Sequence, residues 1–437
     1  MMPPVNAPVD VPVALLGYGT VGSAVERLLR ENAEEIERAT GHRLRVVRAL
    51  VRDPARERSG PAAPGLLTND FASIRDDPAV AVVAEVMGGV EPAGEYVLDL
   101  LRAGKPVVSA NKQLVARRGA ELFATASQAG VQLRFEASVC AAIPVVKVLR
   151  EALVATHVHR ILGIVNGTTN FVLTEMEGGR SYDEALAEAQ RLGFAEADPT
   201  EDVNGADAAA KMAILATVAF GSRVELGEVV TTGIEGLTET HVRAARELDA
   251  VVRLVGAAEL ADGRVDVRVR PALVGRRHPL AAVEGAFNAV MLNGDAIREI
   301  VLEGPGAGGI ETASAVVSDL VSVVGTAGTG FLENDACWRE LERLPPEEFR
   351  APFYVQLVVD DRPGVLAEVA AGLAAQGVSV ARLIQEQGED EATLHLVTHE
   401  TAEGALGAAL AEIERAPGTR RPPSVLLVVP DRGRPGT

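Results

Sequence analysis

Several things are scarce in this chain of 437 residues. It has two cysteines, Cys140 and Cys337, too few for a disulfide framework or a cysteine-based zinc site. A reducing compartment fits that count. Aromatic residues make up 3%, so the core must be built from Ala, Val and Leu. Positive charge is in deficit: 42 Lys+Arg stand against 61 Asp+Glu, for a net charge of −19. A chain of that sign repels phosphate backbones and anionic headgroups, so neither nucleic acid nor a membrane surface is an expected partner. Solubility is the plainer reading of the same charge. No apolar run reaches the roughly 18 residues of a membrane span. The stretch 208–220, for example, is interrupted by Lys211. Met1 to Asp10 has neither a basic n-region nor an apolar h-region, and a cytoplasmic location is expected.

What is present is a globular chain. A hydrophobic content of 47% excludes wholesale disorder, and the length suggests two to four domains. Val11 to Leu16 reads as a strand that stops at Gly17, and Val21, Val25, Leu28 and Leu29 then recur at helical spacing. Strand-like runs at 45–51, 81–86, 107–109 and 131–135 alternate with helical ones at 92–103 and 113–129. That alternation predicts βαβ units and a parallel sheet. After about residue 137 the pattern changes. A strand at 161–165 precedes two or three helices, the last over 204–220. The strands 252–260 and 265–273 flank Asp262-Gly263, a hairpin signal. The helix 310–324 is expected to return to the first domain. Further on, six runs follow the order βαββαβ, the split-βαβ arrangement.

Gly17-Tyr18-Gly19-Thr20-Val21-Gly22 matches G-x-G-x-x-G between a strand and a helix, the context that dinucleotide binding needs. The first glycine permits the tight turn and the second lets a pyrophosphate approach. The third lets helix and strand pack closely, and the helix N-terminus offers free N–H groups. A glycine turn with no nucleotide is the alternative. At the end of the second strand, Arg52 can pair with a 2′-phosphate, favouring NADP, and Asp53 with a 2′-hydroxyl, favouring NAD. Arg56 and Arg58 lie nearby; a solvated charged loop is the bland reading. NADP is the cofactor expected here, with NAD possible.

Polar residues gather at three further places. Ser109-Ala110-Asn111-Lys112 follows a strand at the carboxyl end of the sheet, where open α/β folds bind ligands. Asn166-Gly167-Thr168-Thr169-Asn170 follows an apolar strand. The stretch from Gly193 to Thr200 leads to Asp202, Asn204, Asp207 and Lys211. Asp207 and Lys211 are four apart on a helix and so share a face. An exposed salt bridge there would mean little. Their neighbours are nearly all apolar, however, and a charge kept among them points to function.

These stretches resemble homoserine dehydrogenase, the family that acts in aspartate-derived amino-acid synthesis. The resemblance is carried by GYGTVG at Gly17, SANK at Ser109, EASV at Glu136, GIVNGTTN at Gly163 and GFAEADPTEDVNGADAAAK at Gly193. GPGAG at Gly304 and TASAVVSDL at Thr312 also belong to it. The stretches run in order over about residues 11–325. DRPGVL at Asp361 resembles an ACT domain, a small-molecule regulatory module. The resemblance implies an α/β protein in three parts. A Rossmann-like nucleotide-binding domain spans 1–137, with 309–330 returning to it. An α+β catalytic and dimerisation domain with a mixed sheet spans 138–308. A linker at 331–350 leads to a βαββαβ ACT-like domain at 351–430.

The implied reaction is reversible hydride transfer between a nicotinamide nucleotide and L-aspartate 4-semialdehyde or L-homoserine. Lys211 corresponds to the family's proton-transfer lysine and Lys112 to its second active-site lysine. Glu196, Asp207 and Asp202 are the implied substrate-binding acids. Gly17, Tyr18, Gly19, Thr20, Val21, Gly22, Arg52, Lys112 and Gly308 are the implied cofactor contacts. A monovalent cation, Na+, is implied at Glu136, Val139, Ala141 and Ile143. The family usually has glycines where this chain has Cys140-Ala141-Ala142, so a positive φ there would be strained. Glu311 is a second departure. For the base role a lysine pKa must fall from about 10.4, and burial beside another lysine is the expected cause. A homodimer or homotetramer is implied, with L-threonine as the expected effector of the ACT-like unit. The rival readings are a dehydrogenase for another aldehyde or hydroxy acid, and a non-catalytic nucleotide or amino-acid sensor. Both site lysines are present, which counts against the sensor.

Overall fold

The computed structural model describes residues 8–56, 62–325, 346–388 and 391–427. Arg58, Cys337 and most of the linker expected at 331–350 lie outside the described residues. The chain divides into two compact units, Met1–Trp338 and Arg339–Thr437.

The first sheet begins with β1 (Val9–Leu16), then α1 (Thr20–Glu31), α2 (Ala33–Thr40), β2 (His42–Leu50), β3 (Leu67–Thr68) and α3 (Ala72–Arg75). It continues through β4 (Val82–Glu85), α4 (Ala93–Arg102), β5 (Val107–Ser109), α5 (Lys112–Ala129) and β6 (Leu133–Arg134). The strand order is β3-β2-β1-β4-β5-β6, all parallel. Parallel strands are covered on both faces, so β1 and β4 are short apolar runs rather than alternating ones. Val13, Leu15 and Val82 face one core and Ala14, Leu16 and Val83 the other. The order turns back between β1 and β4. The crevice at their carboxyl ends is where such sheets bind ligands.

The second sheet follows a linking segment. The elements are α6 (Val145–Lys147), β7 (Val158–Ile164), α7 (Gly167–Glu177), α8 (Tyr182–Leu192), α9 (Thr200–Val203), α10 (Ala206–Phe220), β8 (Val230–Thr231) and α11 (Glu239–Glu247). Then come β9 (Ala250–Ala261), β10 (Arg264–Gly275), β11 (Phe287–Gly294), β12 (Arg298–Pro305) and α12 (Gly309–Gly325). The order is β12-β11-β7-β9-β10-β8. All neighbours are antiparallel except β8 and β10, so this sheet is mixed. Asp262 and Gly263 both take positive φ, 52° and 72°, as a two-residue hairpin turn demands. The β11–β12 hairpin carries no comparable sequence signal. β11 is almost wholly buried, so it shows no alternation to mark it as a strand.

The helix α10 runs through the main core of this region, with ten buried residues including Asp207 and Lys211. Its small side chains let the sheet approach: Met212 packs on Gly256 of β9, where any Cβ would collide with it. Glycines bound the helix at both ends, Gly205 and Gly221, at φ 85° and 62°. At the chain's return, α12 packs on α1.

The second unit contains β13 (Arg350–Ala351), β14 (Phe353–Asp360), α13 (Val365–Ala375), β15 (Val380–Gln387), β16 (Glu391–Thr398), β17 (Thr401–Ala402), α14 (Glu403–Arg415) and β18 (Ser424–Leu427). Its main sheet is antiparallel, in the order β15-β16-β14-β18. Buried and half-buried residues alternate along β14 and β16. Among the described residues no helix is long and apolar enough to cross a membrane.

Candidate active site

The glycine turn at the end of β1 is shaped residue by residue. Gly17 has φ +105°, and a Cβ there would lie 2.9 Å from the carbonyl oxygen of Val86. A Cβ on Gly22 would collide with the carbonyl oxygen of Gly17. Around Gly19 there is open space instead. Each glycine thus does what a bound pyrophosphate requires: turn, pack, or leave room. Tyr18 is buried, and Thr20 and Val21 open α1, whose N-cap has no side-chain cap. The first amides of α1 are left facing outward for an anion. Gly309, opening α12, packs so closely on Thr20 that a Cβ there would lie 2.6 Å from its methyl. Gly308 has φ +140°, and the Glu311 carboxylate folds over it. Arg52 is exposed just past β2.

The serine-asparagine-lysine turn is built around Glu85, which the sequence reading did not single out. Glu85 is fully buried at the end of β4. It accepts hydrogen bonds from the Ser109 hydroxyl at 2.7 Å, the Met87 amide at 2.9 Å and the Asn111 amide group at 3.4 Å. Burial raises its pKa, and these donors oppose the rise. Asn111 also donates to the Gly89 carbonyl at 2.5 Å and caps α5 by accepting from Leu114. Lys112, the first residue of α5, is therefore aimed by a network that begins at a buried carboxylate.

Lys112 reaches across to Asp207, 95 residues along the chain, and donates to Oδ1. Lys211 Nζ lies 2.8 Å from the other oxygen, Oδ2, and also donates to the Val165 carbonyl at 2.8 Å. Asn166 donates to Asp207 Oδ2 at 2.9 Å and to Asp202 Oδ1 at 2.7 Å. Its own Oδ1 caps α7 by accepting from Thr169. Asn166 is thus the hinge of the cluster, joining two carboxylates to a helix start. The sequence showed it only as one letter of a polar turn.

Burial by itself would raise the pKa of Asp207, but the ammoniums of Lys211 and Lys112 more than reverse this and hold it below the usual carboxylate range. Burial likewise pulls Lys211 down, and Asp207 carries it above its ordinary value. The expectation that burial beside a second lysine lowers Lys211 is therefore corrected. A carboxylate stands between the two lysines, and opposite charge at 2.8 Å outweighs desolvation. Asp202 is raised, mainly by burial and also by Asp207.

Glu196 is exposed and is not brought onto the lysines. Its segment is tethered to the site, because Thr168 donates to the Phe194 carbonyl at 2.6 Å.

Glu136 accepts from the amides of Val146 at 2.8 Å and Lys147 at 2.7 Å. Burial pushes its pKa up to about 7, against the pull of those amides. Cys140 and Ala141 have φ 55° and 40°, the left-handed region that favours glycine. The departure from the family's glycines therefore falls on strained backbone. Val139, Ala141 and Ile143 are all buried. Asn288, in contact with the Cys140 thiol, is fully buried, and neither of its amide atoms finds a well-aligned partner. An orphaned buried amide is a group that calls for a partner; among the described residues no cluster of three or more His, Cys, Asp or Glu is arranged to hold a metal ion.

Comparison with known proteins matches three family descriptions. "Homoserine dehydrogenase, NAD binding domain" matches residues 17–136, "Homoserine dehydrogenase" residues 144–321, and "ACT domain" residues 353–418. A homoserine dehydrogenase of Bacillus subtilis is 40% identical over 397 residues, 90% of this chain and 92% of its own. The crystal structure of a homoserine dehydrogenase from Thiobacillus denitrificans matches with TM-score 0.70 at 42% identity, covering 96% of this chain and 98% of that one. A hyperthermophilic archaeal homoserine dehydrogenase in complex with NADPH matches with TM-score 0.60 at 28% identity, covering 72% and 98%.

Proposed function

The chain belongs to the homoserine dehydrogenase family, and from that premise we propose that Lys211, Lys112 and Asp207 carry its reaction. Its activity is the reversible NAD(P)-dependent interconversion of L-aspartate 4-semialdehyde and L-homoserine. The observation that supports the assignment is one buried carboxylate, Asp207, held by two ammoniums from separate parts of the chain. The nicotinamide supplies or removes the hydride. In reduction the substrate oxygen gains negative charge as the aldehyde carbon is attacked. Lys211, kept protonated by Asp207, stabilises that charge and donates its proton. Lys112, at the mouth of α5, stands beside the reacting oxygen and the cofactor. In oxidation Lys211 must first be neutral. Asp207, Asp202 and Glu196 receive the substrate ammonium, which draws charge from Asp207 and eases that deprotonation.

Initial rates with L-homoserine test this. Lys211→Ala should lower kcat by at least about 10²-fold, the usual scale of a lost acid–base group. Lys112→Ala should lower kcat and weaken cofactor binding together. Undiminished turnover by folded Lys211→Ala would remove the assignment.

NADP is the cofactor we favour, on the exposed Arg52 at the end of β2. Gly308 and the turn Gly17–Gly22 complete its cradle. A monovalent cation, Na+, is the ligand we assign to the Glu136 carboxylate and the carbonyls of Val139, Ala141 and Ile143, on the resemblance together with the orphaned, buried Asn288 amide beside Cys140. It would lock the strained turn that carries Cys140 against Lys211. Chelator-free enzyme depleted of Na+ should lose thermal stability and regain it on titration with NaCl rather than with a bulky organic cation. The cytoplasm is the location we assign, from the cysteine count and the charge.

For the ACT-like unit at 351–430 the reading is regulatory. Gly364, at φ 97°, opens α13 and exposes its first amides. β15 is exposed along its length, Leu383 and Ile384 included, and an edge of this kind invites pairing with a second copy. L-threonine is the effector we place there, in a homodimer or homotetramer. Enzyme truncated near residue 340 should stay active and ignore threonine. A full-length enzyme indifferent to millimolar threonine would refute the regulatory role.

A further inference from the structure

A cavity of about 590 Å³ opens beneath the active site, between α5 and α10. That volume is in the range of small-molecule sites. Its cause is local: Ala116, Gly119 and Ala120 lie at helical i, i+3, i+4 spacing on α5, and Ala213 faces them from α10. Small residues on both helices leave a gap that Phe123, Phe135, Ile214 and Val218 line without filling.

The charge of its wall is unusual for this chain. The net charge is −19, yet the lining includes three arginines and no Asp or Glu. Arg223 pairs with Glu225 at 3.3 Å. Arg150 lies over the Phe135 ring at 5.9 Å. Among the described residues, neither Arg117 nor Arg150 meets a carboxylate within ion-pair distance. Apolar walls with Arg117 and Arg150 at the rim, the latter under only the longer-range pull of Asp319, describe an amphipathic anion.

We propose that this cavity binds a small organic anion with an apolar, ring-sized body and one carboxylate- or sulfonate-like group. The body lies against Phe123 and Phe135, and the anion meets Arg117 and Arg150. The position has a consequence for turnover, which rests on the roles proposed for Lys112 and Asp207. Val115 is three residues from Lys112 and Ile214 three from Lys211, so the cavity begins one helical turn from the site on both helices. A ligand wedged there biases the separation of α5 and α10, and with it the Lys112–Asp207 contact.

The probe is 8-anilino-1-naphthalenesulfonate, titrated by fluorescence into full-length enzyme saturated with NADP+, so that the dinucleotide site is filled. Neutral N-phenyl-1-naphthylamine is the control. Saturable binding of one equivalent is expected. Arg117→Gln/Arg150→Gln should weaken the sulfonate by about tenfold or more, the scale of a lost charge-assisted bond, and leave the neutral amine unchanged. Val218→Trp, which fills the cavity, should abolish both. Should that variant not fold, Ala120→Leu at the exposed rim serves in its place and should weaken both probes. Sulfonate affinity unaltered by the paired glutamines, or binding undiminished by the filled cavity, would overturn the proposal. Binding is read without turnover, so it stands or falls apart from the assignment of Lys112 and Asp207. Probe occupancy that leaves kcat and KM for L-homoserine unchanged would overturn the coupling alone.

Discussion

Replacing Asp207 by Asn keeps the shape of the side chain and removes its charge. Lys211 then remains buried, hydrogen-bonded to the Val165 carbonyl and the new amide, with Asp202 still acting on it electrostatically. At 2.8 Å and an effective dielectric of about 20, the lost attraction is at most about 6 kcal/mol. Removing one partner of a buried pair typically costs about 3–5 kcal/mol. The sign of the pH dependence is the sharper test. In the parent, Lys211 is raised above its unfolded value. Its contribution is therefore complete below about pH 10.4 and declines only as pH climbs through the higher folded pKa. In Asp207→Asn, burial is opposed only by the weaker attractions of Cys140 and Asp202, and the folded pKa is expected to fall below the unfolded one. Stability must then rise with pH between those two values, by about 1.4 kcal/mol per unit. Urea denaturation of the catalytic unit at pH 8, 9 and 10 should show the gap between variant and parent closing. Adding Lys211→Met to the variant should abolish the slope. A gap that stays constant with pH, or a slope that survives Lys211→Met, would refute this account of the pair.

Two other substitutions probe the cofactor and the strained turn. Arg52→Ala should weaken NADP more than NAD by about 1–3 kcal/mol in fluorescence titrations, the worth of a charge-assisted bond to phosphate; equal losses would make Arg52 a loop charge only. Ala141→Gly should raise the thermal midpoint, because relief of a left-handed conformation, worth about 1–2 kcal/mol, exceeds the added unfolded-chain entropy of about 0.4–1 kcal/mol. A lowered midpoint would show that the turn is not strained at Ala141.

Local pattern determined a good deal of this protein. The Gly17, Gly19 and Gly22 spacing, the strand–helix alternation of the first sheet and the Asp262-Gly263 hairpin all depend on neighbours a few residues away. So does the placing of Asp207 and Lys211 on one face of α10, which follows from helix periodicity alone. Backbone sterics and side-chain period act over that range, so the sequence carries them openly. The tertiary structure decided the rest. Lys112 meets Asp207 across 95 residues, and that contact turns two lysines from mutually repelling charges into partners of one carboxylate. The raised pKa of Lys211 comes from Asp207 one turn away on α10, so the fall expected from burial beside a second lysine is overturned by a partner that the helix itself supplies. Glu85 has no local signal and Asn166 only that of its polar turn, because their importance lies in which distant donors and carboxylates they join. The φ of Cys140 and Ala141 is imposed by packing against the residues' own preference. Electrostatic and packing energies depend on distance in space, and only the closed fold sets those distances.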